Sequence, residues 1–575
     1  MFALCAGCSS AGVEISRSDQ RRTDPAPADT TNPIDTTSTT DPSSTTGPSS
    51  TTGPSSPPTS GVDPPSDGLP VIAPVVWSPC ESPPAPWECG SIEVPLDYGE
   101  PAGRQITIAL TRLPALDSPR RIGSLVLNPG GPGGSGLVIA YNEADSFPQP
   151  ILERFDIVGF DPRGVGASTA VECPPGFDSA LDVFDECIDL SGEILPYLGT
   201  PNAARDLEMT RRALQDDKLS YLGYSYGTAL GAVYADMFPD RIRSLVLDGA
   251  IDPDAGLSNI DGQGGYDFYA QQDFDGTLDV FHTLCDATSE CDAGPDSRDL
   301  LDRVYDDVET TPAEYFGDGE SIAEDDVDDV IFSSMYSAFN WAILGIALRD
   351  ADDGEASTLK AMSSWLQFGY PADMESEPNY DFANLAIRCA DFASRDSDAF
   401  ECEDFPDSAE PLPVITEVDA SVPIVVIGTK DDPATPGRYA DQLADALGDA
   451  VDITWDGAGH TAFLSSSCIN DIVVAYLIDQ IVPQDGQTCP FVSSAKTVQE
   501  RADAIFESLD ADAAVEVIEP LLAASGVPEQ ISDCVARFIV SQGTERLIVH
   551  QLLGVDSPEI IALRSAAAMR CGPGG

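Results

Sequence analysis

Three residue types that could do chemistry together are spread far along the chain. They are a serine in GYSYG (Gly223 to Gly227), acids in GTKDDPATP (Gly428 to Pro436) and a histidine in WDGAGHTAF (Trp455 to Phe463). A serine hydroxyl becomes a useful nucleophile when an imidazole takes its proton and a carboxylate holds that imidazole in the right tautomer. The G-x-S-x-G spacing is what a sharp strand-to-helix turn demands, because side chains two residues either side would collide with neighbouring backbone. KLSYL precedes the motif and the small-residue run TALGAVYA follows it, so strand and helix stand where such a turn needs them. Ser225 is the expected nucleophile. The Tyr226 N–H, at the helix start, is the expected donor to an oxyanion.

The base has three possible sources, His282, His460 and His550. His282 in FHTLCD and His550 in RLIVHQLL lie in helical patterns and read as structural. His460 follows the short strand VDITW in a glycine-rich loop, a place from which an imidazole can reach a serine. For the orienting acid the sequence offers Asp431, Asp432 and, at the end of SLVLDG, Asp248. Asp432 is favoured because Asp432-Pro433 forms a turn shortly before His460. The order Ser, Asp, His is that of α/β-hydrolases.

NPGGPGGSG (Asn128 to Gly136) follows the apolar run SLVL and brings bare backbone close to something negative. Gly131 to Gly136 also satisfies G-x-G-x-x-G, but Pro132 would sit inside a phosphate turn, which argues against a dinucleotide. The loop reads as the source of the second oxyanion donor, the Gly131 N–H, worth roughly 3–4 kcal/mol in the transition state. No cofactor is expected. No metal is expected either, since no cysteine couple comes with C-x-x-C spacing or a nearby histidine.

The elements that must position these residues alternate. Period-two segments occur at Arg104 to Leu113, Ser124 to Asn128 and Phe155 to Asp161. Helical spacing follows over Pro201 to Gln215, then strand KLSYL, helix Thr228 to Ile242 and strand SLVLDG. Such alternation implies a mostly parallel sheet covered by helices. It stops near Asp252 and resumes at VPIVVIG, Val422 to Gly428, so residues 252–420 read as a helical lid inserted into an α/β-hydrolase core of 76–251 and 421–490. The acidic run AEDDVDDV in the lid lacks the spacing of a calcium loop. Residues 491–575 read as a helical appendage.

Composition limits the partners. The 575 residues carry 97 acids against 29 lysines and arginines, a formal net charge of −68. Such a surface repels nucleic acid and anionic lipid, and the acidity reads as a device for solubility. Residues 9–75 are Ser, Thr, Pro and Gly with little to bury, a disordered tether. MFALCAGCSS resembles the tail of a lipoprotein signal, residues 1–8, with Cys8 the lipidated residue and the only route to a membrane. No stretch approaches the roughly 20 apolar residues of a membrane span. Twelve further cysteines fall into six sequence-local couples, Cys80–Cys89, Cys173–Cys187, Cys285–Cys291, Cys389–Cys402, Cys468–Cys489 and Cys534–Cys571. Pairing by proximity fits an oxidising, extracytoplasmic compartment.

Taken in order, WSPC…ECGSIEVPLDY, NPGGPGGSG, FDIVGFDPRGVGAS, YLGYSYGTALGAVYADMFPDRI, AIRCAD, GTKDDPATP and GAGHTAF resemble the secreted tripeptidyl aminopeptidases related to proline iminopeptidase. The resemblance spans Trp77 to about Cys489. Where proline iminopeptidases carry HGGPG, this chain has Pro129 in place of the histidine, as in the tripeptidyl branch. The resemblance implies a serine peptidase acting on peptides with a free amino terminus, whose ammonium a lid carboxylate would capture. Asp391 in AIRCAD is the candidate for that capture, against a structural role beside Cys389. A carboxylesterase is the main alternative, since the same residues cleave esters, and a binding protein without turnover is another. Oligomeric state is open.

Overall fold

The computed structural model describes residues 68–80, 86–174, 184–251, 271–287, 291–310, 314–315, 320–354, 379–391, 405–415 and 417–491, with 359, 362 and 402. Cys8, the tether to residue 67, His550, Cys534 and Cys571 lie outside them. The chain forms two units. In the smaller, residues 17–71, only 68–71 are described, without regular structure. All that follows concerns the larger.

Short apolar runs bounded by turns become the strands of one ten-stranded sheet. These are β1 (Ser78–Pro79), β2 (Glu88–Pro95), β3 (Gln105–Leu113), β4 (Gly123–Asn128), β5 (Phe155–Phe160), β6 (Leu219–Tyr224), β7 (Ile242–Asp248), β8 (Ile424–Asp431), β9 (Ala450–Ala458) and β10 (Gln487–Pro490). Their order across the sheet is β1-β2-β3-β5-β4-β6-β7-β8-β9-β10. From β5 to β10 every neighbouring pair is parallel, while β1, β2 and β3 join antiparallel at one edge. Every residue of β4, β5 and β6 is buried, as strands covered on both faces require. The sequence reading missed β1 and β2, where proline, cysteine and glycine interrupt the alternation. It also carried the helix after Ser225 on to Ile242. In fact that helix ends at Met237, because Pro239 opens a single turn and β7 begins at Ile242.

Helices α1 (Gly136–Glu143), α2 (Gln149–Arg154), α3 (Phe184–Ser191), α4 (Thr200–Ala213) and α5 (Tyr226–Met237) belong to the first half of the core. Buried Ile139, Phe147 and Ile151 meet Leu125, Ile157 and Val425 of the sheet in one apolar cluster. Arg163, in the loop after β5, is fully buried and spends all its donors. It is bidentate to Asp206 of α4 at 2.7 Å on each arm, and donates to the carbonyls of Pro95, Leu96 and Tyr197. One guanidinium thus ties the end of β2 to α4.

The insertion has two unlike parts. Helices α6 (Gln271–Asp286), α7 (Ser297–Thr310), α8 (Glu324–Met335) and α9 (Trp341–Asp352) share an apolar core around Phe274, Phe281, Val304, Phe332 and Leu344. That core also contains Ala434 and Ala458, from the carboxyl ends of β8 and β9. This part is therefore packed onto the loops that carry Asp432 and His460. Helix α10 (Tyr380–Asp391) lies instead on the glycine loop, where Asn384 Nδ2 donates to Pro132 O at 2.8 Å. Asn379, just ahead of it, donates to the carbonyls of Gly164 and Val171 and accepts from Gly166 N–H. Helices α11 (Arg438–Leu447) and α12 (Ser467–Asp479) complete the second half of the core. Disulfides join Cys80 to Cys89, Cys173 to Cys187, Cys285 to Cys291, Cys389 to Cys402 and Cys468 to Cys489.

Replacing Arg163 by methionine leaves Asp206 buried without its cation. Urea unfolding of Arg163→Met is expected to show about 3–5 kcal/mol less stability than the parent.

Candidate active site

Ser225 stands between β6 and α5 with φ of +53°, a conformation rare for any residue but glycine. Its N–H donates to Asp248 O at 2.9 Å, and its carbonyl accepts from the Thr228 amide and hydroxyl. The flanking glycines are required sterically. A Cβ at Gly223 would lie 2.4 Å from Gly227 O, and one at Gly227 would lie 2.8 Å from Asn128 Oδ1. The strained turn expected from the motif is present, and it packs against the end of β4.

The glycine loop after β4 lies directly on this turn. At Gly130, φ +97°, a Cβ would sit 2.6 Å from Tyr224 O, 2.8 Å from Ser225 Cβ and 3.0 Å from the Tyr226 nitrogen. Only glycine allows that approach. The Gly130 N–H is committed to Asn128 Oδ1 at 3.0 Å. Farther on, Asp161 holds the loop. It accepts from the Ser135 hydroxyl at 2.5 Å and from Leu137 and Ala167 N–H, while burial raises its pKa.

Asp432 and His460 meet as expected. The imidazole Nδ1 is 3.0 Å from both carboxylate oxygens of Asp432, and both side chains are buried. Asp432 is fixed by amides of its own turn, Ala434 and Thr435, and by Thr461 N–H across the gap. Thr435 adds a hydroxyl 3.1 Å from Asp432 Oδ2 and 3.2 Å from His460 Nδ1. Sequence reasoning overlooked Thr435, although the D-x-x-T spacing in DPAT is that of a carboxylate capping a turn. It also overlooked Tyr336 at the end of α8. That residue's carbonyl accepts from His460 N–H at 2.8 Å, and its ring meets the imidazole edge-on at 5.1 Å. Ser225 and His460 both lie near the end of β7: Asp248 O takes the Ser225 N–H, and a Cβ at Gly249, one residue on, would lie 3.3 Å from His460 Cε1.

The rival acids are placed elsewhere. Asp431 lies at the end of β8, half-buried beside Lys430. Asp248 is fully buried and accepts from the amides of Ala462 and Phe463, in the loop just past the imidazole. The Asp391 expectation needs correction. Its carboxylate is buried and both oxygens are taken by Thr200, Oδ1 by the amide at 2.7 Å and Oδ2 by the hydroxyl at 2.6 Å. The same hydroxyl meets the Tyr226 phenol at 2.5 Å. Asp391 holds the first turn of α4 and, through it, the Tyr226 side chain; burial pushes its pKa up to about 7. His282 is likewise inward, its Nδ1 2.9 Å from Ser297 Oγ, with burial driving its pKa down to about 4. Among the described residues no three His, Cys, Asp or Glu side chains are grouped to hold a metal.

A serine on a sharp strand-to-helix turn, an imidazole on a carboxylate and main-chain amides at a helix start are the groups that acyl transfer uses. Family models agree with that chemistry. Residues 123–292 match the alpha/beta hydrolase fold and residues 390–489 the TAP-like protein family. The chain is 32% identical over 491 residues to the serine protease Hip1 of Mycobacterium tuberculosis, covering 72% of this chain and 91% of that one. It is 39% identical over 213 residues to the tripeptidyl aminopeptidase of Streptomyces lividans, covering 31% and 38%. Carboxylesterase B of M. tuberculosis is 31% identical over 492 residues, covering 73% and 91%. The chain belongs to the serine peptidases of the α/β-hydrolase fold.

Two substitutions check the placement. Gly130→Ala pushes backbone away from Ser225 and Tyr226 and is expected to lower kcat about a hundredfold with far-ultraviolet circular dichroism unchanged. Asp391→Ala strands two donors of Thr200 and is expected to cost about 2–3 kcal/mol in a thermal melt. It should leave the ratio of activity on free and acetylated peptide amides where it was.

Proposed function

We propose that the protein is an exported serine exopeptidase that hydrolyses peptides near a free amino terminus. Ser225 attacks the scissile carbonyl, His460 takes its proton and returns it to the leaving amine, and Asp432 holds the imidazole tautomer. The Gly131 and Tyr226 amides receive the oxyanion, and water then repeats the sequence on the acyl-enzyme. The observation that carries this reading is the Asp432–His460 pair at 3.0 Å, on a loop that shares Asp248 as a hydrogen-bond partner with the Ser225 turn. The tripeptidyl aminopeptidase relative and the TAP-like match favour exopeptidase cleavage within the peptidase class. Carboxylesterase B among the relatives favours the second reading, hydrolysis of small esters by the same residues.

Five disulfides support folding in an oxidising compartment. In this reading Cys8 carries the lipid that retains the enzyme at the outer face of the membrane, residues 9–75 act as its tether, and 491–575 form a structural appendage.

The purified enzyme is given an alanyl-prolyl-type tripeptide chromogenic amide, with its amine free or acetylated, and a short-chain ester. Clear preference for the free amine is the expected result. Ester turnover alone would transfer the assignment to the esterase. Ser225→Ala is expected to abolish turnover and fluorophosphonate labelling while the thermal midpoint stays within a few degrees.

A further inference from the structure

Asp248 has no part in the triad, yet it touches both sides of it. Its main-chain oxygen accepts the Ser225 N–H at 2.9 Å. Its carboxylate accepts Ala462 N–H at 3.0 Å on Oδ1 and 3.2 Å on Oδ2, and Phe463 N–H at 2.7 Å on Oδ2. Those amides lie two and three residues past His460. The same residue therefore grips the backbone of the nucleophile with one group and the backbone of the base with another.

Both gripped segments are conformationally costly. Ser225 has φ of +53°, Thr461 +68° and Leu464 +71°. Residues in that region persist only where the surroundings over-determine them. Other elements hold parts of the loop. Asp432 takes Thr461 N–H, Asn470 Oδ1 takes Leu464 N–H at 2.7 Å, and the Tyr336 carbonyl takes His460 N–H. Of these, only Asp248 is also bonded to the Ser225 backbone in the contacts described. Gly249, φ +69°, lets the chain turn away immediately, with Thr461 Cγ2 3.0 Å and His460 Cε1 3.3 Å from where a Cβ would be.

We infer that Asp248 is a positioning residue that sets the distance between the Ser225 hydroxyl and the His460 imidazole through this two-sided clamp. The inference rests on the roles proposed above for Ser225 and His460. Proton transfer is steep in distance, so a displacement on the order of 1 Å costs about a hundredfold in rate, while the pocket that binds substrate is untouched.

The test compares Asp248→Asn, Asp248→Glu and Tyr476→Phe in the full chain. Asn keeps the shape but offers one acceptor oxygen for three contacts; Glu keeps the charge but displaces the loop. Tyr476→Phe loosens the same strand, since the hydroxyl it removes accepts from Leu245 N–H and donates to Pro423 O, while the ring that packs in the apolar cluster is kept. Both Asp248 variants are expected to lose at least roughly thirtyfold in kcat and in the rate of fluorophosphonate labelling, with KM within about twofold. Tyr476→Phe should lower the thermal midpoint and leave kcat unchanged. The inference is overturned if folded Asp248 variants keep kcat within about threefold, or if Tyr476→Phe loses activity in proportion to stability as they do. Insolubility of both Asp248 variants beside a soluble Tyr476→Phe would assign Asp248 to folding and overturn it as well. Turnover by Ser225→Ala would sink the proposed function instead, a distinguishable result.

Discussion

A carboxylate taken out of water must be answered by donors, and around this site the donors are mostly main-chain amides. Asp161, Asp248, Asp391 and Asp432 are all buried. Between them they accept N–H groups from Leu137, Ala167, Ala462, Phe463, Thr200, Ala434, Thr435 and Thr461. Asp248 and Asp432 thereby fix loops that have no regular structure of their own, while Asp161 and Asp391 hold the first turns of α1 and α4. Burial is the main cause that drives the Asp161, Asp248 and Asp391 pKa values upward, with the Asp432 charge adding to it at Asp248, and their hydrogen bonds pull the other way. A chain with 97 acids and 29 strong bases has few cations to place inside. Buried Asp206 does obtain one, Arg163, and that pair serves the frame rather than the site.

The same economy explains how the insertion relates to the chemistry. A lid hinged over a cleft would keep its apolar core to itself. Here the core of α6 to α9 takes in Ala434 and Ala458, neighbours of Asp432 and His460, and Tyr336 bonds the base's own amide. This half of the insertion is a wall packed against the loops of Asp432 and His460, both buried, where a low local dielectric strengthens their hydrogen bonds. The other half, α10, braces the glycine loop through Asn384.

Much of this was legible from residue types. Ser225, Asp432 and His460 each sat in a loop at the end of a recognisable strand, and five cysteine couples were neighbours in sequence that became bonded neighbours in space. Backbone rules carried those readings: glycine at fixed offsets marks a turn, and short apolar runs mark buried strands. Asp391 shows where the reading stayed open between ammonium capture and a structural role, because whether a carboxylate faces solvent or a threonine depends on which helix packs against it.

By itself the sequence determined the sharp turn at Ser225, the parallel strands and the loop that carries His460, because these follow from local sterics and hydrophobic pattern within a dozen residues. Tertiary structure alone showed which of three acids meets the His460 imidazole, gave Thr435 and Tyr336 their contacts with it, and brought Asp248 to the backbones of Ser225 and of the His460 loop. Those choices rest on contacts between segments up to 215 positions apart. No local pattern encodes them, since a buried carboxylate looks the same in sequence whichever donor finally satisfies it.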